Sequence, residues 1–564
     1  MTATNTFSSM KAILLTIFLI QISVFIAVSQ VFSEIIGRPT PASVTISVLF
    51  DQDVEVYWEW GAISGNYPQS SAKFNLKKDV PFETDLTGLA ANTAYFYRIR
   101  YRSAGSAAAF SSGAEHTFHT PRPAGSSFTF AIEADPHLDS NSLPEAYSQT
   151  LQNILAAKPD FLFDLGDTFM SEKEPNKNQS TITARHLLFR PYFGAVCHSV
   201  PLYLILGNHE GEVGWELNGT ATNLAVMASN TRKLYYPNPL PNSFYSGNTK
   251  EEPFVGLREN YYSFEWGDAL FVILDPYWYT INKPDWGWTL GPEQYNWFKK
   301  TITECKAKFK FVFCHNLVGG NTKDARGGAE YADLFEMGGK NSDGTSGWSS
   351  FRPGWEKPIH QLMVENKVTV FFHGHDHFFG KQEKDGVIYQ EVPQPSNKNI
   401  TNLQASEYGY VNGIFLPGRG YLKVSVSPEN VQINYIRTYV PSEENSTRKN
   451  GEVAYSYTLK TAVTSIGKTE NLPAAPDLEQ NSPNPFQDKT TINYQIPKTG
   501  RVELDVFNLT GQKVSRLVNQ TQAAGSYSVV FTPPRNEDCQ GIYFCRLTVG
   551  NFSKSIKLLQ SVSN

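Results

Sequence analysis

The chain has 564 residues, 13% of them aromatic and 18% charged, and a net charge of −5 at neutral pH. That length exceeds what one hydrophobic core supports, so two to four domains are expected. The charge is spread without long runs of one sign, which excludes a nucleic-acid backbone as the expected partner. Five cysteines with no C-x-x-C pair exclude a disulfide scaffold and a cysteine zinc site. Cys539 and Cys545 bracket "QGIYF" and fit either a bond across a tight loop or two small buried residues.

Lys11 precedes "AILLTIFLIQISVFIAVSQ", an uncharged apolar run with small residues at Ala27 to Ser29. Residues 1–29 therefore read as a cleaved export signal, with a retained membrane anchor as the alternative. Over 37–121, "SVTISVLF", "VEVYWEWG" and "AYFYRIRYRS" alternate apolar and polar residues between Gly, Pro and Asn turns, the pattern of a small β-sandwich. From 125 to 463 the rhythm changes. Apolar runs such as "FTFAIEA", "DFLFDLG", "PLYLILG", "FKFVFC" and "VTVFF" suit strands buried on both faces, and helix-like stretches separate them, which predicts a layered α/β domain. Residues 464–480 read as a linker, and 481–564 return to short strands, a second small β-sandwich.

Each apolar run of the central domain ends on a metal-ligand residue type. Asp135 and His137 stand in "EADPH", Asp167 in "DLGD", Asn208 and His209 in "LGNHE", His315 in "FCHN", and His375 with His377 in "GHDH". In open α/β sheets, sites form beyond the carboxyl ends of strands, where loops from several strands meet. Any one of these motifs is common; five in this order, with residue types that bind borderline divalent cations, are not.

These motifs resemble the calcineurin-like metallophosphoesterase superfamily, which reads D-x-H, G-D, G-N-H-[ED], H and G-H-x-H. The resemblance implies an α-β-β-α central domain and a hydrolase of phosphate esters. It assigns Asp135, His137, Asp167 and His377 to one metal ion, and Asp167, Asn208, His315 and His375 to a second. It also implies that His209 stabilises or protonates the leaving group. A shared carboxylate is a compact way to hold two repelling cations roughly 3.5–4 Å apart, which fits Asp167. Two divalent ions, two aspartates and a bridging hydroxide leave about +1, so a phosphate dianion is attracted even to a net-negative protein.

The "LTGLAANTAYFYRI" segment resembles the strand entry of fibronectin type III domains, which also precede the catalytic domain in purple acid phosphatases. Those enzymes read G-D-x-x-Y, with the tyrosine on ferric iron. Here "GDTFM" places Met170 there and "DPH" supplies His137, which predicts a colourless enzyme with zinc, manganese or ferrous iron. At the other end, "NSPNPF", "VFNLTGQKV", "GIYFCRL" and "KSIKLLQ" resemble the C-terminal sorting domain of the type IX secretion system. That resemblance implies a secreted or cell-surface protein whose partner is the type IX machinery.

Several neighbours are expected to support the site without ligating: Asp164, His373, Asp376 as a backbone hydrogen-bonder, and Glu210 orienting a histidine. Tyr277, Trp278, Tyr279, Trp286 and Trp288 fit either a stacking surface for substrate or a small core that pins their loop. Arg326 and Arg352 are candidate phosphate holders. The expected activity is hydrolysis of phosphate monoesters for phosphate scavenging, with a diesterase or nucleotidase as the alternative within the class. A surface adhesion protein on a relic scaffold is the alternative outside it.

Overall fold

The computed structural model describes residues 32–321, 324–401, 403–460, 475–522, 525–533 and 541–561. The expected export signal and Cys539 lie outside them. Contacts divide the chain into two units, Met1–Thr461 and Ala462–Asn564. Among the described residues no helix is long and apolar enough to cross a membrane.

In the first unit two large sheets face one another. One runs in the order Val453–Lys460, Asn430–Arg437, Gly420–Val426, Phe128–Glu133, Phe161–Asp164, Leu202–Leu204, Phe32–Gly37, Ser43–Phe50, Phe82–Thr87. The other includes Tyr262–Trp266, Ala269–Ile273, Phe309–Phe313, Val370–His373 and Val387–Glu391. Strand periodicity explains why the predicted runs are apolar throughout. Phe130, Ile132, Phe161 and Phe163 face Phe271, Phe311, Phe313 and Phe372 across the space between the sheets. The alternate residues point outward: Ala131, Leu162 and Leu202 pack with helices Pro144–Ala157 and Gln179–Gly194, while Val272, Val312 and Phe371 pack with helices Pro292–Glu304 and Ile359–Glu365. The result is the α-β-β-α stack, and each buried phenylalanine contributes roughly 2–3 kcal/mol of burial free energy.

The central strands of both sheets run parallel, Phe128–Glu133 beside Phe161–Asp164 beside Leu202–Leu204, and Ala269–Ile273 beside Phe309–Phe313 beside Val370–His373. Their carboxyl ends therefore open on one side. The N-terminal sandwich pairs strands Phe32–Gly37, Ser43–Phe50 and Phe82–Thr87 with a six-stranded sheet centred on Val54–Gly61 and Ala94–Ser103. Its first sheet is continuous with the central one, because Gly37 pairs in parallel with Leu202. Arg190 fastens this seam from within: it is buried, and its guanidinium donates to Ser33 O at 3.1 Å, Ser47 O at 3.2 Å and Tyr235 O at 2.5 Å. The second unit holds its own sandwich of a three-stranded and a four-stranded sheet over a core that includes Ile492, Tyr494, Val502, Leu504 and Leu547.

Candidate metal centre

The parallel strands deliver their ligand-type residues a few positions past their ends. Asp135 follows Glu133 by two, Asp167 follows Asp164 by three, Asn208 follows Leu204 by four, and His315 and His375 each follow a strand end by two. The backbone there is unusual. Asp135, His137, Asp167, His375 and His377 have φ of 60°, 50°, 53°, 79° and 67°. A left-handed conformation costs a non-glycine residue about 1–3 kcal/mol, and such strain gathers where function fixes a side chain's aim. The turns also demand glycine: a Cβ on Gly374 would come within 2.6 Å of Asp135 Oδ2, and one on Gly207 within 2.3 Å of Asp167 N.

Six of the seven predicted ligands come together in two groups, and Asn208 precedes His209, whose N–H donates to Asp167 Oδ1 at 2.8 Å. Asp135, His137 and His377 bring ligand atoms within 4.8 Å of one another, and so do Asp167, His315 and His375. Asp135 Oδ1 lies 3.3 Å from His377 Nε2 and 3.6 Å from both His137 Nε2 and His315 Nε2. Asp167 Oδ2 stands between the groups, 3.2 Å from His315 Nε2 and 3.9 Å from His137 Nε2. Donors about 2.1 Å from an ion and roughly 100° apart are separated by about 3.2 Å, so these spacings fit cations. The decisive feature is what these atoms lack. Asp135 Oδ1, His137 Nε2, Asn208 Oδ1 and His315 Nε2 are all buried with no hydrogen-bond partner, a state that native proteins rarely tolerate without a function.

The electrostatics point the same way. Burial would raise the carboxyl of Asp135, but His315 and His377 outweigh it and hold it well below the usual range. Burial likewise opposes Asp167, which His315 and His209 lower. Conversely, burial would lower His137 and His315, yet Asp135, Asp139 and Asp167 raise them to about 9 and about 10. Two carboxylates thus make the mouth a strong attractor of positive charge.

The remaining ring nitrogens are tied to the scaffold. His315 Nδ1 lies 2.9 Å from Leu165 O, and His375 Nε2 lies 2.9 Å from Asp324 O, which leaves His375 Nδ1 facing the site. His209, the predicted catalytic residue, presents Nε2 4.0 Å from Asp167 Oδ2 while Nδ1 meets Glu172 Oε2 at 3.0 Å. Sequence reasoning missed Glu172, which sits in the charged loop "SEKEPNK" with only its place after "GD" as a signal. Arg185, also missed, donates to His137 O and Phe169 O at 2.6 Å each and braces two ligand loops.

Other expectations change. Glu210 does not orient a histidine: its carboxylate accepts the backbone N–H groups of Gly207, Asp167 (3.1 Å), Thr168 (2.5 Å) and Phe169 (3.3 Å), stitching two ligand loops together. Asp376 accepts from Gly327 N at 2.8 Å as a backbone partner, but also from Arg326 at 2.8 Å and Tyr410 Oη at 2.9 Å. Asp164 stays off the ligand groups, accepting from Thr168 Oγ1 at 2.5 Å, and burial raises it to about 8. His373 Nδ1 lies 2.7 Å from Glu391 Oε2, below the turn. Tyr277, Trp278, Trp286 and Trp288 are buried and Tyr279 half-buried, so they form the core that pins their loop. Arg352 serves that loop, donating to Trp286 O, Trp288 O and Glu336.

An α-β-β-α stack with two carboxylate–histidine groups at one mouth defines the class of metal-dependent phosphoesterases. The family model described as calcineurin-like phosphoesterase matches residues 128–379, and that described as secretion system C-terminal sorting domain matches residues 482–560. This chain therefore carries a calcineurin-like phosphoesterase domain followed by a sorting domain that directs type IX secretion to the cell surface or the extracellular space. A solved structure of PhoD is similar over 76% of this chain and 90% of its own, at 15% identity and a TM-score of 0.54. Purple acid phosphatase PPD1 from seeds of yellow lupin (Lupinus luteus) is similar over 76% of this chain and 74% of its own, at 17% identity and a TM-score of 0.51. These likenesses establish the fold. No curated protein matches this chain in sequence.

Proposed function

We propose that the protein is a secreted phosphomonoesterase that releases phosphate from extracellular esters with two divalent cations, zinc, manganese or ferrous iron. One cation would be held by Asp135, His137, Asp167 and His377, the other by Asp167, Asn208, His315 and His375. The single observation that carries this reading is the convergence of four buried ligand atoms without a hydrogen bond, on Asp135, His137, Asn208 and His315, from two strand ends of one sheet and one of the other.

Bound there, two cations supply Lewis acidity to the phosphoryl oxygens and bring the pKa of a water near 7. The chain's residues do the rest. Asp167 Oδ2 faces both groups, while Oδ1 accepts from His209 N at 2.8 Å and so fixes the loop that carries Asn208 and His209. His209, steadied by Glu172, holds a proton at Nε2 for the departing oxygen. Met170, buried where purple acid phosphatases place their tyrosine, offers no phenolate, so the loaded enzyme lacks visible colour.

The monoester preference rests on the layout shared with purple acid phosphatase, an N-terminal sandwich leading into the catalytic domain; the ligands serve a diesterase or nucleotidase equally. Hydrolysis of nitrophenyl phosphate against bis-nitrophenyl phosphate by one metal-loaded sample tests it, with Asn208→Ala as control. Faster turnover of the monoester, lost in the control, is expected. Preference for the diester would replace the substrate assignment, and activity unchanged by Asn208→Ala would remove the assignment of the site.

A further inference from the structure

The second cation position has one ligand, His375, whose surroundings exceed what a simple turn requires. A single short segment, Asp324 to Arg326, grips it from two sides. His375 Nε2 donates to Asp324 O at 2.9 Å, and Arg326 Nη1 donates back to His375 O at 2.8 Å. The same Arg326 nitrogen donates to Asp376 Oδ1 at 2.8 Å, and Gly327 N donates to Asp376 Oδ2 at 2.8 Å. Asp376 also accepts from Tyr410 Oη at 2.9 Å, so the residue between the two histidines is held by three donors.

The segment is strained in a way that serves this grip. Asp324 and Ala325 have φ of 64° and 60°, and Ala325 is 1% exposed. Two successive non-glycine residues in the left-handed region are strained, and the surrounding contacts must offset that strain. The guanidinium of Arg326 also lies 4.5 Å from the centre of the Tyr408 ring, which limits its freedom. Beyond the grip, Asp324 Oδ1 meets Lys283 Nζ at 3.3 Å, and that ammonium lies 4.2 Å from the centre of the Trp215 ring, on the loop that follows His209.

On the reading given above for the two cation positions, we propose that Arg326 is a positioning residue for the second cation. It fixes the backbone of His375 while the carbonyl of Asp324 fixes its ring, so Nδ1 is aimed before an ion arrives. Partners that orient a metal ligand through its other nitrogen or its backbone typically change affinity about 10- to 100-fold. The effect falls mainly on the second position, because His137 is braced by Arg185, His315 by Leu165 O and Asp167 by His209 N, whereas Asp135 Oδ2 accepts from His375 N at 2.9 Å and passes only a smaller part to the first.

The test is titration of the metal-free full chain with zinc, read as two successive dissociation constants by competition with a chromophoric chelator. Arg326→Gln is expected to weaken the second constant about 10- to 100-fold and leave the first within threefold, and Arg326→Lys, which keeps one donor, to fall between. Arg352→Gln serves as the comparison: it removes an arginine bonded to Glu336 and the aromatic loop rather than to a ligand residue, and both constants stay within threefold. Should Arg326→Gln fail to fold, Arg326→Lys and Tyr410→Phe carry the same expectation at reduced size. Equal weakening of both constants, or a loss of thermal stability with neither constant changed, would overturn the proposal. So would a loss confined to phosphate affinity, which would make Arg326 a substrate-holding group. Failure of the wild-type chain to bind two ions would remove the underlying two-cation reading instead, and this proposal with it.

Discussion

Asn208 and Glu212 lie four residues apart on one loop, yet they belong to buried polar clusters of opposite construction. Glu212 accepts from Arg232 at 2.5 Å and Arg258 at 3.1 Å, and Arg258 donates to Asp275 at 2.7 Å, so two guanidinium groups neutralise two carboxylates. Near Asn208, by contrast, its own Oδ1, Asp135 Oδ1, His137 Nε2 and His315 Nε2 are buried and make no hydrogen bond. The first cluster fastens the loop to helix Leu224–Tyr235 and the strand end at Asp275. On the proposed function, the second leaves pairing for an ion and a substrate to supply. Single unbonded atoms occur elsewhere too, such as Arg258 Nε and Glu34 Oε2, so what distinguishes the second cluster is that several ligand-type atoms left so converge at one mouth.

Substitutions in the two clusters should give opposite profiles. Asp167→Asn removes the carboxylate facing both groups and is expected to lower kcat by about 10³- to 10⁴-fold, with loss of bound metal and a folded circular dichroism spectrum. Glu212→Gln should do the reverse: it leaves Arg232 and Arg258 without their shared anion and lowers unfolding free energy by about 3–5 kcal/mol, while metal stoichiometry is kept. If the Glu212 variant instead lost metal at unchanged stability, the contrast would fail.

Smaller effects sharpen the picture. His209→Ala should lower kcat by about 10²- to 10³-fold with both metal ions retained, and Glu172→Gln by about tenfold, in steady-state assays on loaded protein. A pH effect belongs to the sandwich seam. Burial raises Glu34 to about 7 from an ordinary value of 4.5, against the opposing bond from Trp58 Nε1 at 2.6 Å. The folded chain therefore keeps a proton on Glu34 that the unfolded chain releases, so its contribution is fully present below about pH 4.5 and lost as the pH rises through 7. Glu34→Gln keeps an acceptor for Trp58 and should raise stability by about 3 kcal/mol at pH 8 and by almost nothing at pH 4.5, read from denaturant melts at the two pH values. Equal gains at both would contradict it.

Much of this was legible in the sequence because ligand-type residues end apolar runs. A run such as "FTFAIEA" signals a strand buried on both faces, and the position just beyond it is where an α/β sheet opens, so Asp135, Asp167, Asn208, His315 and His375 could be placed before any coordinates. The partners of those residues could not. Glu172 reaches His209, Arg185 reaches His137 O, and Arg326 reaches His375 O across 37, 48 and 49 positions of chain, with no spacing rule to announce them. Glu210 was misjudged for a related reason: following a histidine suggests a bond to it, whereas the carboxylate turns back to four backbone N–H groups. The seam was hidden too, since strand Phe32–Gly37 joins the central sheet through pairing with a segment 165 residues away, at Gly37 and Leu202.

In the proposed function Asp167 stands between two cations. Anomalous diffraction from crystals of the metal-loaded protein tests it most directly. Two peaks roughly 3.5–4 Å apart are predicted, one among Asp135, His137 and His377, the other among Asn208, His315 and His375, each in contact with Asp167. A single peak, or two that do not share the Asp167 carboxylate, would contradict it.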